Sequence, residues 1–142
     1  MTNKPELRGK RITVIGLGIE GEDLARFFAG HGAAVTVSDA KSREALGPRA
    51  ESLEALGVRL SLGINDPTDV EGADMVFVSQ GVPLSNPAVI AARAAGTPVE
   101  SMTSLFFKWW PGPIAGITGS SGKTTTTSLT DAIFSAGNRR HV

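Results

Sequence analysis

Cysteine is absent from this 142-residue sequence, which excludes disulfides and thiolate metal sites and suits a cytoplasmic protein. A surplus of either charge sign is missing too, with 14 Lys and Arg against 14 Asp and Glu. Without a basic excess nothing points to nucleic acid or an anionic membrane as a partner. Long apolar runs are also lacking. None approaches the ~20 residues of a membrane helix, and Met1 to Lys10 is polar where an export signal would carry an apolar core. With 41% hydrophobic and 20% charged residues, the chain reads as soluble, unexported and globular.

The stretch that organises the chain is Ile114-Ala-Gly-Ile-Thr-Gly-Ser-Ser-Gly-Lys-Thr-Thr. A short apolar run breaks into a Gly/Ser turn, and a Lys-Thr pair then opens a helix-like segment. That layout suits a phosphate-binding loop. Backbone N–H groups converge on phosphate oxygens only where bulky side chains are absent, and the helix behind presents its positive end there. The backbone of Gly119, Ser120, Ser121 and Gly122 therefore supplies the candidate phosphate contacts. Lys123 and Thr124 are the candidate catalytic pair, one bringing charge to the phosphates and the other a hydroxyl to Mg2+. The longer form of the motif wants Gly at 117, where Ile stands, so the match is to the shorter Thr-Gly-x-x-Gly-Lys-Thr form. A plain Gly/Ser turn before a helix explains the glycines but not the Lys-Thr offset.

Taken in order, Arg11 to Ile15 is a β-branched run of buried-strand type, ending in Gly16-Leu-Gly-Ile-Glu-Gly21. Leu24, Phe27 and Phe28 then follow helical spacing until His31-Gly32. A second strand, Ala34 to Ser38, closes on Asp39. Strand, Gly turn, helix and strand make a βαβ unit, with Asp39 near the offset of a dinucleotide fingerprint. Two readings stay open here. Gly16, Gly18 and Gly21 serve either phosphate approach or only tight packing, and Asp39 either accepts hydrogen bonds from a ribose or base or merely caps the next helix.

The alternation continues through a helical Ser42 to Leu56 interrupted at Gly47-Pro48, and a strand at Arg59 to Leu62. A turn falls at Asp66-Pro67, and a strand at Met75 to Val78 runs into Ser79-Gln-Gly-Val-Pro83. A helix from Pro87 to Ala95 leads to a fifth strand at Pro98-Val99. The expected fold class is α/β, a Rossmann-like doubly wound parallel sheet of about five strands, with its ligand crevice at the carboxyl ends. Thr103 to Pro113 reads as a short helix and domain boundary, its aromatics serving either as packing at a joint or as a base-stacking platform. Ile114 to Ile117 then reads as the strand of a second, P-loop unit that is begun and not completed.

The Gly16 to Gly21 loop, Ser38-Asp39, Ser79 to Pro83 with Asn86-Pro87, and Gly116 to Thr125 together resemble the amino-terminal part of the Mur ligases, over nearly all of the chain. The resemblance lies with the branch that adds D-glutamate, and departs from it at Gln80, where Pro is usual, and at Ser121, where Asn is common. It implies a UDP-substrate domain over 1–101, a linker helix and boundary over 102–113, and the start of an ATP-binding central domain over 114–142. It implies that Gly16, Gly18, Ile19, Glu20, Gly21, Asp39, Ala40, Ser79, Gln80 and Gly81 hold the UDP part of UDP-N-acetylmuramoyl-L-alanine. ATP, held by Gly119, Ser120, Ser121, Gly122, Lys123, Thr124 and Thr125, and Mg2+ are the implied cofactors, and D-glutamate joins at a site outside these residues. The implied enzyme is a cytoplasmic ATP-dependent ligase of peptidoglycan synthesis, of which these 142 residues alone are inactive. An NAD-binding oxidoreductase or sensor domain, or a noncatalytic nucleotide-binding fragment, are the competing readings.

Overall fold

A computed structural model describes residues 6–141. The ends of the expected domain ranges, 1–5 and 142, lie outside them. The chain divides into two compact units, Met1–Trp109 and Trp110–Val142.

The first unit is an α/β sandwich around five parallel strands: β1 (Arg11–Ile15), β2 (Ala34–Asp39), β3 (Arg59–Leu62), β4 (Met75–Val78) and β5 (Val99–Glu100). Their order across the sheet is β3-β2-β1-β4-β5. In register, Val14 of β1 pairs with Val37 of β2 on one side and Phe77 of β4 on the other. As the central strand β1 is covered on both faces, so Ile12 to Ile15 form a continuous buried run rather than an alternating one.

Helices α1 (Ile19–Gly30), α2 (Arg43–Leu46), α3 (Pro48–Glu54) and α4 (Pro87–Ala94) make the crossovers. The Gly47-Pro48 interruption separates α2 from α3, with Pro48 at a first-turn position where its missing N–H costs nothing. On one face α1 seats Leu24, Ala25 and Phe28 against Ile12, Val14, Val37 and Phe77, the Phe28 and Phe77 rings lying 4.7 Å apart. On the other, α4 buries Ala88, Val89 and Ala92 over Ile15, Val76 and Val78. Asn86 starts α4 by accepting the Ala88 N–H at 3.0 Å. The turn expected at Asp66-Pro67 is a single 3-10 turn, Pro67–Val70, held by Asp66 accepting from the Thr68 N–H at 2.8 Å.

Helix α5 (Met102–Trp109) belongs to this first unit by packing: Met102, Leu105 and Trp109 lie on its core, and the Trp109 ring sits 5.9 Å from that of Phe27. Trp109 thus packs on the core of this unit itself, while Phe107 is exposed.

In the second unit α6 (Lys123–Ala136) is the one regular element among the described residues. The strand expected at Ile114 to Ile117 does not form. A strand is defined by its ladder, and this segment has no neighbouring strand to pair with. Nor does α6 bury any residue; Leu129, Ile133 and Phe134 are exposed. Helices of this length are marginal in water unless a packed face supports them. Hydrogen exchange should therefore find the amides of Val14, Val37 and Val76 strongly protected and those of Lys123 to Gly137 exchanging rapidly. Equal protection of the two sets would contradict this account.

Candidate functional site

Strand order reverses beside β1, whose outgoing connection runs to β2 on one side while β4 lies on the other, so a crevice opens between the loops that leave β1 and β4. Those loops are locked together. Ser79 donates its hydroxyl to the Gly16 carbonyl at 2.7 Å and its N–H to the Ile15 carbonyl at 3.0 Å. The three loop glycines do different jobs. A Cβ on Gly21 would lie 1.9 Å from the Gly16 carbonyl oxygen and 2.7 Å from the Ser79 hydroxyl, so only a bare backbone lets α1 start this close to β1. Gly16 has φ of +93° and its Cβ would meet Val82 at 2.7 Å. At Gly18, by contrast, no heavy atom lies within 4 Å of an added Cβ, and the residue caps α1 with no side-chain hydrogen bond. Packing thus accounts for Gly16 and Gly21, while Gly18 leaves the approach to the first-turn N–H groups open.

Asp39 reaches this loop from the end of β2. Only 7% exposed, its carboxylate accepts the Leu17 N–H at 2.5 Å and the Lys41 N–H at 2.7 Å. It does not cap the next helix; Ser42 does, accepting from the Ala45 N–H. Ala40 beside it is exposed. Asp39 is therefore first an anchor that fixes the glycine loop by a charge-assisted bond. The lone pairs that these two N–H groups leave over are what a ligand would use.

The mouth of the crevice is formed by Ile19, 73% exposed, by Glu20, and by the Gln80-Gly81 turn, where Gly81 has φ of +94°. Glu20 accepts the Gln80 N–H at 3.2 Å, tying the start of α1 to the β4 loop. Its neighbour Glu22 turns away to Arg26 at 2.8 Å and Arg49 at 3.3 Å.

Behind the site lies a polar network that the sequence reading missed. The Ser38 hydroxyl donates to the buried Asp69 carboxylate at 2.7 Å, Thr13 donates to the Asp69 carbonyl at 2.8 Å, and Arg59 pairs with the same carboxylate at 3.4 Å. The network fastens the Pro67–Val70 turn to the strands whose ends bear the site. Its signal was Thr13 and Ser38, polar residues inside otherwise apolar strands.

In the second unit Gly119 to Thr125 form an exposed loop running into α6. Gly122 caps the helix with φ of +77°, and Gly119 has φ of +155°, values that favour glycine at both positions. Lys123 folds back to donate to the Gly119 carbonyl at 2.5 Å. The first turn of α6 carries no acid, and Thr124 is exposed at it. This geometry fits a phosphate ligand: an uncapped helix start, glycines where side chains would intrude, and a lysine that bridges the loop. Among the described residues, no group of three or more His, Asp or Glu is placed to hold a metal unaided.

A parallel sheet with a glycine loop at its switch point defines a Rossmann-like α/β domain. The model of the Mur ligase MurD-like N-terminal domain matches residues 10–101, more than half of the chain, and the chain belongs to that family. It is 46% identical over 139 residues to the UDP-N-acetylmuramoylalanine--D-glutamate ligase of Anaeromyxobacter dehalogenans, covering 97% of this chain and 30% of the relative. With the enzyme of the same name from Geobacter metallireducens it shares 45% over 92% of this chain and 29% of that one. Among solved structures, the UDP-N-acetylmuramate-alanine ligase MurC of Thermotoga maritima matches with a TM-score of 0.60 at 25% identity, over 88% of this chain and 29% of that chain. The chain thus spans about 30% of the length of the curated relatives it matches.

The division of labour among the glycines can be measured by urea unfolding. Gly21→Ala should cost about 3 kcal/mol or more, since overpacking against rigid backbone has no cheap relaxation. Gly18→Ala should cost about 1 kcal/mol or less, its loss being that of an N-cap preference only. Similar costs at the two positions would refute the assignment.

Proposed function

We propose that the chain is the amino-terminal portion of a cytoplasmic ATP-dependent ligase that joins D-glutamate to UDP-N-acetylmuramoyl-L-alanine in peptidoglycan synthesis. The observation that carries this is the pair of cross-tied loops at the sheet's switch point, in a chain 46% identical over 139 residues to a ligase of that name. Under this reading residues 1–101 hold the UDP part of the substrate, 102–113 lead on from it with α5 packed on that same unit, and 114–142 open the ATP-binding part. Gly16, Gly18, Ile19, Glu20 and Gly21 lie along the diphosphate. Asp39, Ala40, Ser79, Gln80 and Gly81 surround the uridine.

Gly119, Ser120, Ser121, Gly122, Lys123, Thr124 and Thr125 would hold the ATP phosphates, with Lys123 supplying charge and the Thr124 hydroxyl facing Mg2+. ATP supplies the phosphoryl group that activates the substrate carboxylate for attack by the D-glutamate amine. What these residues contribute is position and charge, which is most of what phosphoryl transfer asks of a protein.

Thermal shift with UDP-N-acetylmuramoyl-L-alanine, UDP, NAD and ATP tests the assignment, because a ligand at 100 times its Kd stabilises by about 2.7 kcal/mol. Stabilisation by the UDP compounds and ATP is expected, and a preference for NAD over UDP compounds would overturn the reading. Asp39→Ala should weaken UDP binding by roughly 1–3 kcal/mol. It should also lower the ligand-free melting temperature, since the Leu17 N–H loses its acceptor.

The 142 residues assayed by themselves should form no amide bond. After Lys123 the one acid is Asp131, two turns along α6 and hydrogen-bonded to His141 at 2.8 Å, so no second carboxylate is placed to share a metal with Thr124. Phosphate release from ATP that depends on UDP-N-acetylmuramoyl-L-alanine and D-glutamate, and that Lys123→Ala abolishes, would disprove this.

A further inference from the structure

Resting on that reading of the carboxyl edge, we infer that Glu20 is a specificity residue of the nucleotide site, whose charge opposes the diphosphate and so sets how much phosphate contributes to recognition. Glu20 stands in the first turn of α1, where free N–H groups and the helix dipole make the potential positive and where an anion is stabilised. Its carboxylate reaches across the mouth to the Gln80 N–H at 3.2 Å. The carboxylate is therefore already an acceptor on a donor of the β4 turn, at the end of α1 that the diphosphate is to approach.

The other acid of that turn is neutralised differently. Glu22 is paired with both Arg26 and Arg49, whereas among the described residues Glu20 forms no ion pair. Its negative charge is consequently balanced by no side-chain cation, only by the helix start and the Gln80 N–H, beside the open backbone of Gly18. The start of α6 supplies the contrast, with no acid in its first turn and Lys123 at its head. A diphosphate entering beside α1 displaces the Glu20 carboxylate from the Gln80 N–H or binds against it. Either way phosphate charge contributes less than at an acid-free helix start, and affinity rests more on the uridine.

The test is calorimetric titration of the full 142-residue chain, and of Glu20→Gln and Glu20→Ala, with UDP and with uridine. Glu20→Gln keeps an acceptor for the Gln80 N–H and removes only charge. It should bind UDP roughly threefold to tenfold more tightly while uridine affinity stays within about twofold. The gain should shrink when salt is raised from about 0.05 M to about 0.5 M, as screening shortens the reach of the charge. Glu20→Ala should raise the UDP-to-uridine affinity ratio in the same direction even where it lowers the melting temperature. An unchanged or reduced ratio in Glu20→Gln, with wild type binding UDP, overturns this inference and leaves the site reading intact. Equal weakening of both ligands together with a lower melting temperature assigns Glu20 a structural role only and also overturns it. If wild type binds neither UDP nor uridine, the site reading fails and this inference falls with it.

Discussion

The rest of the first unit depends on one close approach, that of Gly21 on α1 to the carbonyl of Gly16 at the end of β1. An added Cβ would sit 1.9 Å from that oxygen, well inside any van der Waals contact. The Ser79 hydroxyl reaches the same carbonyl from β4 at 2.7 Å, and the Asp39 carboxylate reaches the Leu17 N–H of the same loop from β2. Three strand ends are fixed by one short loop. Moving α1 outward would open the approach of Gly21 to the Gly16 carbonyl and stretch the Glu20 bond to the Gln80 N–H, which together set the crevice between the β1 and β4 loops.

That anchoring also fixes the carboxylate itself. Asp39 is almost wholly buried, and two backbone N–H donors hold its side chain in one orientation. A ligand hydroxyl meeting this carboxylate finds it already oriented, so no side-chain entropy is lost on binding. The same two bonds mean that removing Asp39 would loosen the loop whatever it does to a ligand, and the two effects would separate only when stability is measured without ligand.

Much of the first unit was legible because its signals are local. The β-branched run at Ile12 to Ile15, the Gly47-Pro48 break, and Pro87 after Asn86 each act within a few residues, and each feature stands where its chemistry requires. The sheet edge that gathers the glycine loop, Asp39 and the Ser79 to Gly81 turn followed from strand order alone. What stayed illegible depends on partners far along the chain. Asp69 meets Ser38 across 31 positions and Glu20 meets Gln80 across 60, and no spacing rule joins them. The strand expected at Ile114 to Ile117 failed for the complementary reason. Its apolar pattern was right for a strand, but pattern alone supplies no ladder.

The two helix starts show why the same local device serves different chemistry. Both α1 and α6 begin at a glycine with no side-chain cap, so each leaves first-turn N–H groups for another acceptor. At α1 the glycine loop is clamped from β2 and β4, and acids stand in the first turn. A ligand there would be recognised by shape and by fixed hydrogen bonds and, on the inference drawn for Glu20, with charge as a minor or opposing contribution. At α6 the loop is exposed, its lysine is held by a single bond to the Gly119 carbonyl, and no acid stands in the first turn. Charge dominates at such a site, and polyphosphate with its counterion is what it would attract. Rigid geometry with unfavourable charge suits a substrate that must be chosen correctly, whereas favourable charge on an exposed loop suits a phosphate donor that must be held and released.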